Sequence, residues 1–249
     1  MTGTGDIADA RQVIGVLGGM GPLAGAWFMQ RLVMLTQATE DQGHIPAILI
    51  NDPAVPGRVS AISDPRAESP LPAMRAGVRR LEAAGATLVA IACNTAHHWH
   101  GDLQAATRLP VLDMIALAAD EIAATGAGGP IGVLATRGTL AAGLYQRALA
   151  RHGLDVLLPG DDVQDRLVLP SIAAVKRGDL VAARRLAGDA DAAVRAAGAR
   201  AVLVACTELS IAWPAEAWPE VVRASTVDAG DALARAALAV ADVGATSRL

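Results

Sequence analysis

The chain repeats itself, and that feature constrains its fold more than any other. Ile14-Gly-Val-Leu-Gly-Gly-Met-Gly-Pro-Leu-Ala24 aligns with Ile131-Gly-Val-Leu-Ala-Thr-Arg-Gly-Thr-Leu-Ala141, sharing Ile-Gly-Val-Leu, the later glycine and Leu-Ala. Gly85-Ala-Thr-Leu-Val-Ala-Ile-Ala-Cys93-Asn-Thr95 aligns with Gly198-Ala-Arg-Ala-Val-Leu-Val-Ala-Cys206-Thr-Glu208, and Val111-Leu-Asp113 more weakly with Thr226-Val-Asp228. The offset is nearly constant, so the chain reads as two copies of one α/β unit related by a pseudo-twofold axis. Each copy supplies one wall of a crevice, and the site is expected between them. Residues 1–115 with 226–249 are assigned to the first domain and 116–225 to the second.

Within each copy, short runs of Val, Ile and Leu alternate with longer Ala, Leu and Arg stretches of helical period. This is the pattern of parallel strands joined by crossover helices. Strands are expected to begin near Gln12, Pro46, Ala86 and Pro110, then near Pro130, Leu154, Arg200 and Val222. Cys93 and Cys206 each fall where a buried strand ends and a helix begins. In open parallel sheets that carboxyl edge is where ligands bind. A small cysteine at a strand end is often plain core, but here the thiol recurs at the equivalent position of both copies while neighbouring residues diverge.

Composition narrows the class of partner. The chain has 249 residues, enough for a sizeable core, and 53% are hydrophobic, yet no apolar run approaches the ~18 residues of a membrane span. Met1 to Arg11 carries no secretory or transit pattern, so a soluble, cytoplasmic protein is expected. The net charge is −4 and the aromatic residues are four Trp, one Tyr and one Phe, which offers nucleic acid neither a basic face nor a stacking platform. A small-molecule ligand is expected instead. In a reducing compartment the two cysteines are free thiols. Among 21 basic residues the single lysine is Lys176.

Paired thiols suit one kind of chemistry. Inverting an α-carbon requires removing a proton from one face and delivering one to the other, so two acid-base groups must flank the carbon. A thiol ionises near pH ~8.5 and a helix N-terminus can lower that toward neutrality, where an acid-base catalyst works best. Asn94 and Thr95 after one cysteine, and Thr207 and Glu208 after the other, can cap those helices. With the helix amides they can also hold a substrate carboxylate and stabilise charge moving onto it.

Gly18-Gly-Met-Gly-Pro22, Ala92-Cys-Asn-Thr-Ala-His97, Leu134-Ala-Thr-Arg-Gly-Thr139 and Cys206-Thr-Glu208 together resemble the signature segments of the aspartate/glutamate racemase superfamily, in its aspartate racemase branch. The resemblance runs in order over nearly the whole chain. Glutamate racemases of cell-wall synthesis differ, with Asp-Ser near the first turn and His after the second Cys-Thr. Here those places hold Gly19-Met20 and Glu208. The resemblance implies that Cys93 and Cys206 are the acid-base pair, that no pyridoxal phosphate or other cofactor is used, and that the protein is a homodimer.

Asn51-Asp-Pro-Ala-Val-Pro-Gly-Arg58 resembles a family loop whose arginine contacts the substrate's side-chain carboxylate, although Gly57 and Val59 depart from its usual Pro-Asp-Arg-Thr. Arginine's planar fork suits a carboxylate, so Arg58 is the candidate, against the alternative of a solvated loop residue. Lys176 matches a family lysine near the same group. Met20 and Gly21 would let backbone approach the ligand, and Thr136 and Thr139 occupy the equivalent turn of the second copy; each is equally read as part of a tight strand-to-helix turn. His97, His98 and His100 are too close in sequence to converge on a metal, and His97 is expected to position the loop or tune Cys93. Within the superfamily, a maleate isomerase would share the dicarboxylate logic, and hydantoin racemases and arylmalonate decarboxylases use one or both cysteines. An amino-acid-binding protein would not need both thiols. Lys176 as a Schiff-base lysine would explain neither the repeat nor the paired cysteines.

Overall fold

The computed structural model describes residues 12–246, so the segment Met1 to Arg11 lies outside the described residues. The repeat becomes two parallel sheets of matching order. In the first, β1 (Ile14–Gly18) lies between β2 (Ala47–Asn51) and β3 (Leu88–Ile91), and Val111 extends the sheet by a single bridge to Val89. In the second, β4 (Ile131–Ala135) lies between β5 (Val156–Leu157) and β6 (Ala201–Ala205), with β7 (Thr226–Asp228) beyond β6. Continuous apolar runs such as Ile-Gly-Val-Leu-Gly and Ala-Val-Leu-Val-Ala form these central strands because both faces of a parallel sheet are covered. All pairings are parallel.

Alternation along the strands divides the core in three. Ile14, Val16, Leu88 and Ala90 of the first sheet share one core with Ile131, Val133, Ala201 and Leu203 of the second, filled by the helices Met114–Ala124 and Ala229–Thr246. The opposite faces carry Leu17, Val89 and Ile91 against the helix Leu71–Ala83, and Leu134, Val202 and Val204 against the helices Leu169–Lys176 and Leu180–Ala196. Cys93 belongs to one of these outer faces and Cys206 to the other, so each thiol projects from the corresponding face of its own sheet.

Two expectations are corrected. Thr226–Asp228, grouped by sequence with the first domain, pairs with β6 of the second sheet. The helix after it, Ala229–Thr246, does pack on the helices Pro22–Leu35 and Met114–Ala124. The strand expected near Val222 begins at Thr226, and Glu220–Arg223 is a helical turn. The Val-Val pair looks extended in sequence, but Pro219 opens a turn there and Arg223 holds it by donating to the Ala215 and Trp218 carbonyls.

The helices around the shared core are tied by a buried cation. Arg31 gives a bidentate pair to Asp231, with Nε to Oδ1 at 2.6 Å and Nη2 to Oδ2 at 2.7 Å, and a further bond to Glu216 at 2.7 Å. Fork-to-fork pairing of this kind compensates a guanidinium for leaving water. Among the described residues no helix is long and apolar enough to cross a membrane.

Candidate active site

Cys93 comes two residues after β3, and Cys206 directly after β6. Because β1–β3 and β4–β6 are equivalent pairs, the two carboxyl edges present equivalent positions, and a cavity of about 250 Å³ opens between them. Both cysteines line it, as do Met20, Arg58, Asn94, Thr95, Thr136, Lys176, Thr207 and Glu208. Of the residues singled out from the sequence, two lie just behind this set. Gly21 lines an adjoining cavity of about 620 Å³ that shares Arg58, Lys176 and Glu208. Thr139 is buried behind Thr95.

The polar residues after each cysteine do not cap helices. The chain leaves Cys93 through a short 3-10 segment, Thr95–Trp99, and neither this segment nor the helix Thr207–Ala212 receives a side-chain cap. The Asn94 and Thr95 side chains reach across to the second half instead. Asn94 Oδ1 accepts from the Tyr145 hydroxyl. The Thr95 hydroxyl lies 3.0 Å from that of Thr136 and 2.8 Å from that of Thr139. Thr136 also caps its own helix, accepting from the Thr139 amide, so the turn-forming role and the place on the cavity wall coexist. Val59 of the Arg58 loop seals the same seam, because a Cβ on Gly138 would lie 3.0 Å from its Cγ2. A side chain at Gly138 would press on Val59, so the helices carrying these two residues meet there at close range.

The two thiols sit in opposite fields. Burial pushes both above the usual thiol range, and so differs from the lowering expected from helix N-termini. For Cys93 the Arg58 guanidinium works against that rise. For Cys206 the Glu208 carboxylate adds to it, accepting from Sγ at 3.3 Å. Backbone amides after each thiol do pull its pKa down, but by less than burial raises it.

Arg58 opens the helix Arg58–Ser63 and its Nη1 donates to the Val55 and Pro56 carbonyls at 3.1 and 3.0 Å, which holds the guanidinium in the cavity wall. Lys176 ends the helix Leu169–Lys176, is exposed, and faces both cavities. Glu208 is 7% exposed. The cavity is thus bordered by two cations and one buried carboxylate.

His97 serves the backbone. Its Nδ1 lies 2.9 Å from the Cys93 carbonyl and its Nε2 accepts from the Met114 amide at 3.1 Å. That pair of partners selects the neutral tautomer with the proton on Nδ1, and burial lowers its pKa accordingly. His97 therefore pins the Cys93 turn to the start of the helix Met114–Ala124. His100 Nε2 is 2.9 Å from the Val111 carbonyl, and His98 packs edge-on against Trp99.

Sequence reasoning missed Ser60 and Ile172, which line the cavity, and Tyr145, buried behind the lining residue Asn94; it gave no role to Asp228. Tyr145 carried a signal, as the one tyrosine of the chain. Asp228 is the counterpart of Asp113 in the weakest of the three repeats.

The profile of the Asp/Glu/hydantoin racemase family matches residues 17–237. The structure of an aspartate racemase from Picrophilus torridus superimposes with a TM-score of 0.80 at 31% identity, covering 93% of this chain and 94% of that one. An aspartate racemase homologue from Pyrococcus horikoshii superimposes at 0.73 and 23% identity, covering 93% and 99%, a likeness of fold. The broad specificity amino-acid racemase RacX of Bacillus subtilis is 28% identical over 169 residues, 66% of this chain and 71% of that protein. With the repeat, the matched sheets and the shared cavity, these likenesses identify the chain as a member of the Asp/Glu/hydantoin racemase family and as an amino-acid racemase.

Proposed function

We propose that the protein interconverts the enantiomers of an acidic amino acid, aspartate or glutamate, by a two-base mechanism in which Cys93 and Cys206 act without pyridoxal phosphate. The observation that carries this reading is that both thiols, one from each half, line one small cavity. One cysteine, as thiolate, takes the α-proton. The electron pair left on the α-carbon spreads into the substrate carboxylate. The other cysteine, as thiol, returns a proton to the opposite face, so the two exchange protonation states in each turnover. A thiol that ionises above its usual range is a stronger base once ionised, which suits a weakly acidic C–H. Asn94, Thr95 and Thr207 border the place where the carboxylate charge grows, and donors aimed there lower the barrier.

Charge supports an acidic substrate. A dicarboxylic amino acid brings two anions and one cation, and the cavity offers Arg58, Lys176 and Glu208. Glu208 also speaks against a maleate-like substrate, which has no cation to compensate a buried carboxylate. The protein, with no cofactor added, is tested on a panel of D- and L-amino acids and maleate in D₂O, following α-deuterium by NMR and optical rotation. A broad panel is warranted because RacX is described as having broad specificity. Exchange is expected with aspartate or glutamate. Exchange confined to neutral amino acids, or isomerisation of maleate alone, contradicts the reading.

A further inference from the structure

We propose that Tyr145 is a positioning residue, whose hydroxyl reaches across the two halves to Asn94 Oδ1 and so turns the Asn94 amide to present its NH₂ to the substrate carboxylate. The inference rests on the racemase reading of the cavity. Tyr145 lies on the helix Leu144–Ala150 of the second half and is 0% exposed, while Asn94 stands beside Cys93 in the first half and is 2% exposed.

An amide side chain is two-faced, accepting at one end and donating at the other. If the Asn94 amide were reversed, its oxygen would face the carboxylate and repel it. Donation by Tyr145 settles the choice by engaging Oδ1. The other end, Nδ2, is buried on the cavity wall with no hydrogen-bond partner among the described residues. A buried donor without an acceptor is a site waiting for one, and the cavity beside Cys93 is where a carboxylate would place its oxygen. Tyr145 stays a donor across the working pH range, because burial and the neighbouring Asp228 and Asp113 hold its ionisation well above the usual phenol value.

Because the carboxylate gains charge as the α-proton leaves, a correctly turned amide matters more in the transition state than in the ground state. Losing Tyr145 is therefore expected to lower kcat more than it raises KM. The test is a double-mutant cycle on aspartate racemisation with Tyr145→Phe, Asn94→Ala and the pair. Tyr145→Phe is expected to reduce kcat roughly 10- to 100-fold, the range for loss of one hydrogen bond to a charged group, with KM changed less. In the Asn94→Ala background the same change is expected to have almost no effect.

A wild-type kcat in Tyr145→Phe, or an undiminished loss in the Asn94→Ala background, overturns the inference. A wild-type enzyme inert toward aspartate and glutamate overturns the racemase reading and the inference with it. A second readout needs no turnover and no folded Tyr145→Phe: with Tyr145 the one tyrosine, ¹³Cζ-tyrosine labelling gives a single resonance. It should move in Asn94→Ala and also on adding D- or L-aspartate to the wild type. A resonance that responds to neither overturns the inference.

Discussion

The Cys206 thiol donates to Glu208 Oε2 at 3.3 Å, two residues along the same turn. Its pseudo-symmetric partner Cys93 feels the Arg58 guanidinium more strongly than it feels Glu208. The backbone of the site is symmetric and its electrostatics are not. Both thiols are raised by burial, and Cys206 is raised further than Cys93.

Removing the Glu208 charge should release Cys206 from part of its upward shift. In Glu208→Gln the Cys206 thiol is expected to ionise at lower pH than in the wild type, and Cys93, which also feels Glu208, to shift in the same direction. Alkylation rate against pH, measured in Cys93→Ala and Cys206→Ala backgrounds, resolves the two thiols. An unchanged Cys206 profile in Glu208→Gln contradicts the assignment.

Lys176 stands at the border of the two cavities, exposed and facing both. If it holds the side-chain carboxylate, Lys176→Met should lower kcat/KM for aspartate or glutamate by about 10- to 100-fold. Any activity on a neutral amino acid should change little. Equal losses on acidic and neutral substrates would show that Lys176 acts on folding or on the reacting carbon.

The architecture was legible because duplication writes the same strand twice, and a buried parallel strand has a strong apolar signature. Thr226–Asp228 was misgrouped because three residues cannot declare which sheet they join; the bond pattern to β6 decides it. Cys93 and Cys206 were legible for the same reason as the fold, as a chemical residue repeated in register. The pKa direction of the thiols was not. It depends on how deeply each is buried and on the Arg58 and Glu208 side chains, which are placed by tertiary packing. Tyr145 was missed because a lone aromatic in an apolar helix reads as core, and its hydroxyl acquires meaning only when the helix is laid against Asn94.

Asp228 gives the fold a pH signature. Its burial and the neighbouring Asp231 together raise its pKa from the carboxylate range to about 7, while the Gly230 and Asp231 amides donate to its Oδ1. Between about pH 4 and 7 the native state keeps a proton that the unfolded chain has released. This group's contribution to stability is therefore full below its unfolded pKa and is lost as pH rises through about 7. Asp228→Asn keeps an oxygen for both amides and cannot ionise, so its stability relative to wild type should rise from pH 4 to pH 8. Thermal melts across that range check this, with roughly 2–4 °C in Tm for each kcal/mol. A constant difference between the two proteins would contradict it.

The central claim is that two thiols share one stereocentre, and the direct measurement is α-proton exchange by purified Cys93→Ala and Cys206→Ala in D₂O with the amino acid the wild type racemises. Each variant should lose racemisation by about 10²–10⁴-fold or more, the contribution of a positioned acid or base. Any residual exchange should favour opposite enantiomers in the two variants, because each keeps the base on one face. Wild-type racemisation in either variant, or residual exchange with the same enantiomer preference in both, would contradict the two-base account.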